Sequence, residues 1–81
     1  MISLEHKLKI DTEYFEAVLN EKKNFEIRFN DRNFQIEDIV ILQEITENRE
    51  YTGREITATI SYITDFEQKE GFVVFGFKKL K

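Results

Sequence analysis

Hydrophobic and polar residues alternate along most of this chain, and the period changes once. Residues 4–10 set Leu4, His6, Leu8 and Ile10 against Glu5, Lys7 and Lys9, the period of two that a half-buried strand produces. The period then lengthens: Tyr14, Phe15, Val18 and Leu19 recur at helical spacing, which predicts a helix over 12–20. Asp11 stands where an N-cap belongs, Glu13 and Glu16 lie in the early turns, and Lys22 and Lys23 follow the end. That order of charge suits the helix dipole. A helix shorter than about 12 residues is not stable alone, so this one is held by packing. Asn20 is expected to end it in the left-handed conformation.

The period of two returns in residues 24–30. Phe25, Ile27 and Phe29 fall on one face and Asn24, Glu26, Arg28 and Asn30 on the other. The expected register puts Phe25, Ile27 and Phe29 inside, with Phe75 from the last strand. Asn30-Asp31-Arg32-Asn33 reads as a turn. Residues 38–46 contain the run Ile39-Val40-Ile41-Leu42, the mark of a strand covered on both faces. A polar loop, 47–53, leads to an alternating strand over 54–63, rich in β-branched residues. An acidic connection ends at Gly71, and residues 72–80 form the last strand, with Val73, Phe75 and Phe77 on one face. Gly76 inside it marks a bulge or a close backbone approach. Five strands and one helix predict an α+β domain over 1–81 whose sheet curls toward a barrel.

Composition narrows the function classes. Sixteen acidic and 12 basic residues leave a formal net charge of −4, which argues against nucleic-acid binding by bulk charge but not against a local basic site. The absence of cysteine and the single histidine remove thiolate chemistry and the usual zinc sites. No metal or cofactor is expected. No run approaches 18 apolar residues, and the first residues lack a signal-peptide core. The expectation is a cytoplasmic protein without a membrane partner.

Several strings resemble ASCH domains of the PUA-like superfamily. Lys23-Asn24-Phe25-Glu26-Ile27-Arg28 carries the Lys, Glu and Arg of that family's Lys-Thr-x-Glu-x-Arg signature. Around it, His6-x-Leu8-Lys9-Ile10, Glu13 to Ala17, Phe25 to Arg28, Asn30 to Arg32 and Tyr51 to Arg54 resemble a compact subgroup of short bacterial and phage proteins of unknown function. The family glycines fall at Glu21 and Glu37 here, and its threonine at Asn24. The resemblance implies a small bent β-barrel of five to six mostly antiparallel strands. It also implies RNA or nucleotide binding in a cleft between the helix and the 24–30 strand.

The candidate ligand residues are Lys9, Lys23, Glu26, Arg28 and Arg32. Arg28 offers a forked donor and Glu26 an acceptor, roughly 6.5 Å apart along a strand. The bland alternative is an exposed ion pair worth under about 1 kcal/mol; the family string favours the site. Lys9 and Lys23 would contact phosphate. Arg32 would either close the cleft rim or pair with Asp31 or Glu37. Tyr14 is expected to pack the helix, although it could stack on a base. His6 reads as a core histidine with a satisfied ring nitrogen. Gly71 to Lys78 lacks the residues of a phosphate loop, and Ser3, His6 and Asp11 lack a nucleophile elbow.

The leading expectation is therefore a non-catalytic binding module for RNA or a nucleotide-like ligand. Two alternatives stand beside it: a small ASCH-type hydrolase, and a protein-interaction module whose polar cleft is vestigial. Deacetylating relatives place a nucleophilic threonine three residues after a lysine. Here Lys23 is followed by Glu26 at that spacing, so their chemistry is not expected.

Overall fold

A computed structural model describes residues 4–80. The element order is β1 (Glu5–Asp11), α1 (Thr12–Leu19), β2 (Phe25–Phe29), β3 (Ile39–Ile45), β4 (Tyr51–Thr64) and β5 (Phe72–Lys79). The expected helix and five strands are present, with β4 starting earlier than its alternation suggested. One sheet holds all five strands in the order β1-β3-β4-β5-β2. β1 runs parallel to β3, and every other neighbouring pair is antiparallel. β1 and β2 are thus the two edges, and the sheet curls into a half-barrel that brings them face to face. The helix joins these two strands and packs against β1 and β3.

Inside, Leu8 and Ile10 from β1 meet Val40, Leu42, Ile56, Ala58, Ile60, Phe75 and Phe77 from the other strands. Phe15 and Val18 enter from α1, and Phe34 from the β2–β3 connection. Phe75 is fully buried, as its alternation predicts.

β2 reverses the expected register. Phe25, Ile27 and Phe29 are exposed, at 41%, 54% and 54%, while Glu26 is buried. Alternation sorts a strand into two faces but does not say which faces the core. Two circumstances decide it here. β2 lies at a sheet edge beside a core already filled by Phe75, Phe34 and Phe15. The inward charges also find partners, since Glu26 accepts from both Lys23 and Arg28.

Helix α1 stops in a Schellman motif, with Lys22 N–H donating to the Ala17 carbonyl and Glu21 N–H to that of Val18. The left-handed residue is Glu21, at φ 62°, not Asn20, whose φ is −88°. Glu37 is also left-handed, at φ 77°. Both positions have the backbone conformation that glycine adopts without steric cost. Asp11 occupies the N-cap position without a capping side-chain bond; its carboxylate instead takes Arg49. Tyr14 and Leu19 lie on the exposed side of α1, leaving Phe15 and Val18 to anchor it.

Two irregularities shape β4. Opposite Glu44, the β3–β4 register slips between Gln43 and Ile45. Gly53, at φ +95°, supplies the turned backbone there. A second shift, at Ser61, faces Gly76 of β5, so the bulge marked by Gly76 belongs to the neighbouring strand.

His6 is a satisfied core histidine. Its Nε2 lies 2.8 Å from Asp38 Oδ2, and its ring meets Phe34 edge-on. Burial raises the Asp38 pKa, but hydrogen bonds from His6 and from the Leu4 and Gln35 amides outweigh that and hold it below the ordinary value. Among the described residues no helix is long and apolar enough to cross a membrane.

Candidate functional site

The reversed register of β2 aims its polar row into the seam between the two sheet edges. Glu26 sits at the centre. Its Oε2 takes the Lys23 ammonium, and its Oε1 takes Arg28 Nε at 2.9 Å. The three side chains are only partly open to solvent, at 17% for Lys23, 8% for Glu26 and 25% for Arg28. Such pairing satisfies a carboxylate that would otherwise be costly to bury. Lys23 also donates to the Phe25 carbonyl. Its Nζ stands 4.8 Å from the Phe25 ring centroid and 5.6 Å from that of Tyr14. These two rings hold the ammonium by cation–π attraction.

Arg28 and Arg32 span the seam. Arg28 Nη2 donates to the Lys9 carbonyl and Arg32 Nη1 to the Lys7 carbonyl, each at 2.7 Å. Residues two apart on a strand present their carbonyls to the same edge. Two guanidinium groups thus occupy the β1 edge where a sixth strand would complete the barrel. Arg32 Nε stands 4.0 Å from Asp31 Oδ1, beyond hydrogen-bond distance, so its main contact is the Lys7 carbonyl.

Lys9 is placed differently from the other candidates. Its carbonyl is in the seam, but its side chain is on the outer face of β1, with Nζ 5.8 Å from the centroid of Tyr51. Lys23, Glu26 and Arg28 form one cluster, Arg32 borders it, and the Lys9 ammonium stands apart.

Two openings flank the cluster. One, of about 390 Å³, is lined by Lys9, Asp11, Tyr14, Glu26, Arg28 and Arg49, together with apolar Ile27, Phe29 and Phe72. The other is a groove of about 970 Å³ between the end of α1 and strands β4 and β5, with Lys23, Asn24, Lys78 and Lys79 among its lining residues. Lys23 and Glu26 therefore lie where the helix, the seam and both openings converge.

A second ion pair, between buried Glu44 and half-exposed Arg54, was not anticipated. Glu44 accepts from Arg54 Nε at 2.8 Å, Arg54 Nη2 at 3.0 Å and Thr52 Oγ1 at 2.6 Å. Arg54 also reaches Glu16 of α1 at 2.6 Å and lies over the Phe15 ring. Hydrogen bonds from Arg54 and then Thr52 pull the Glu44 carboxyl down to about 2, against a smaller effect of burial. Glu44 in turn holds the Arg54 guanidinium more firmly protonated than usual. This network clamps α1 onto the β3–β4 bulge. The signal for it was present, because alternation from Val40 and Leu42 places Glu44 on the core face. Arg49, from the β3–β4 turn, was also missed; its turn lies far from β2 in sequence.

Among the described residues no group of three or more His, Cys, Asp or Glu side chains is placed to hold a metal ion. The arrangement can offer a planar or anionic ligand the outer N–H groups of Arg28, the Lys23 ammonium and an aromatic surface at Tyr14.

A family model described as a domain of unknown function, DUF3850, matches residues 5–77. An uncharacterized 12.9 kDa protein from the GpA 3′ region of Escherichia phage P2 is 38% identical over 65 residues. That alignment covers 80% of this chain and 59% of the phage protein, so the chain spans little more than half of that relative's length.

Proposed function

We propose that this chain, which belongs to the DUF3850 family, is a binding module for single-stranded RNA or a nucleotide-like ligand in a PUA-like fold. The observation that carries this reading is the Lys23–Glu26–Arg28 cluster, turned into a solvent-reached seam by an edge strand. An edge strand with apolar residues available could have buried Phe25, Ile27 and Phe29 instead. The charged row occupies the inward face and remains accessible from two openings.

The chemistry fits a nucleotide. Arg28 keeps a forked end that matches a phosphate or a base edge. Lys23 supplies a second positive group, and Tyr14, 47% exposed beside it, supplies a stacking face. Both Glu26 oxygens are already engaged by cations, so the carboxylate serves to position the Lys23 and Arg28 donors. That favours binding over hydrolysis.

The test is titration of a short fluorescent single-stranded RNA and of single nucleotides against wild type, Lys23→Ala, Arg28→Ala and Arg28→Lys, with folding checked by circular dichroism. Arg28→Lys retains charge and loses the fork, so it should bind about tenfold more weakly. Equal binding by all four folded proteins would eliminate the site.

A further inference from the structure

The apolar side of β2 is not an isolated strip. The strand registers place it in a three-strand face. Phe25 is level with Gly76 of β5 and, beyond it, Tyr62 of β4. Ile27 is level with Val74 and Thr64. Phe29 is level with Phe72, and their rings meet edge-on at 5.5 Å. The bulge at Ser61 brings Tyr62 and Thr64 onto this outer side while Ile63 turns toward the core. These rows contain no charged residue.

From this face we infer that the protein self-associates as a two-fold dimer, each copy applying the outer surface of β2, β5 and β4 to the same surface of its partner. The area is of the right size. Phe25, Ile27, Phe29 and Tyr62 are exposed by 41%, 54%, 54% and 65%. At about 200 Å² for each whole side chain, they present about 430 Å². Partly exposed Phe72 and Val74 bring this to about 500 Å². A stable interface covers about 800 Å² per partner, about 65% of it apolar in homodimers. The apolar part required is thus about 520 Å² per copy, close to what this face supplies.

The formal net charge of −4 opposes the approach of two copies at long range, but the uncharged rows place no like charges in contact. Lys23, beside Phe25, and Lys78, two residues from Gly76 on the same side of β5, lie at the margin; the rows themselves hold no cation to draw nucleic acid or anionic lipid. A two-fold operation matches an aromatic surface with itself.

Phe25 also meets the Lys23 ammonium, and Ile27, Phe29 and Phe72 line the opening beside Glu26 and Arg28, so Tyr62, which lines neither opening, is the residue that tests association apart from ligand binding. Sedimentation equilibrium from micromolar to submillimolar protein is the test. Wild type should fit a monomer–dimer equilibrium. Phe29→Glu and Tyr62→Glu, on different strands, should each weaken it about tenfold or more. Tyr51→Glu, on an exposed ring outside these rows, should leave it unchanged. Because Phe29 also packs on Phe72, the Tyr62 variant decides the matter if Phe29→Glu misfolds. A wild type monomeric throughout the range would overturn the inference. So would a dimer indifferent to Tyr62→Glu, or association that grows without closing at two copies.

Discussion

Arg28 Nη2 donates to the carbonyl of Lys9 across the seam, while Nε of the same guanidinium holds Glu26. One side chain thus ties the two sheet edges together, beside Arg32, and sets the charge pattern of the candidate site. Its removal should be felt in stability as well as in binding. Charge-assisted hydrogen bonds contribute about 1.5–3 kcal/mol each when little solvent competes. Arg28 is one-quarter exposed, so Arg28→Ala should cost about 2 kcal/mol in urea unfolding. Arg28→Lys, which can keep one bond but not both, should cost about 1 kcal/mol. Equal stability of all three proteins would show that the seam is held by something else.

The fold was more legible than its orientation. The helix and four of the strands announced themselves by period, because half-buried elements must sort their side chains; β3 announced itself by the apolar run Ile39-Val40-Ile41-Leu42. The parallel pairing of β1 with β3 was not legible, since it joins residues 34 positions apart and leaves no local pattern. The inward face of β2 was misread for a related reason. Alternation is symmetric, and only the partners of Glu26, assembled by the fold, break the tie. Glu44 shows the converse. It shares the face of Val40 and Leu42, so its burial could be read from position, but its partners Thr52 and Arg54 depend on the bulge at Gly53.

Left-handed Glu21 and Glu37 give a second prediction. A non-glycine residue in that conformation costs about 1–2 kcal/mol. Glycine removes the cost but adds about 0.5–1 kcal/mol of backbone entropy to be lost on folding. Glu21→Gly and Glu37→Gly should therefore each stabilise the protein by about 0.5–1 kcal/mol. The Glu21 contact with Lys79, at 3.7 Å and largely exposed, offsets little of this. Chemical denaturation of the two variants and their double mutant provides the check, with the two gains expected to add.

Gly71 is constrained more tightly than either. Its φ is +85°, and a Cβ there would stand 2.6 Å from Phe29 Cε1. Gly71→Ala combines backbone strain with displacement of an aromatic ring. It should destabilise by about 1–3 kcal/mol. Shifted ring resonances of Phe29 and Phe72 in an aromatic NMR spectrum would locate the change.

Acid should act through Glu44. Its folded pKa lies near 2, below the ordinary 4.5. A carboxylate with a depressed folded pKa contributes stability that is complete above its unfolded value. That contribution fades as pH falls from about 4.5 toward about 2. Asp38, also depressed, acts in the same direction. Glu44→Gln should be less stable than wild type at neutral pH, and the gap should narrow through that window. A gap independent of pH would mean that the ion pair with Arg54 is not the origin of the effect.

Salt dependence separates a local site from bulk electrostatic binding. Each phosphate neutralised on a single strand contributes about −0.7 to the slope of log K against log salt. If Lys23 and Arg28 are the contacting cations, the slope for a short single-stranded RNA should be about −1.4. Lys23→Ala should reduce it by about half. The wider surface, at net charge −4, adds repulsion and not counterion release, so duplex DNA should bind weakly at every salt concentration. Measuring the RNA isotherm at several salt concentrations tests the number of contacts directly. A much steeper slope, or one unchanged in Lys23→Ala, would place the nucleic acid on cations other than those of the seam.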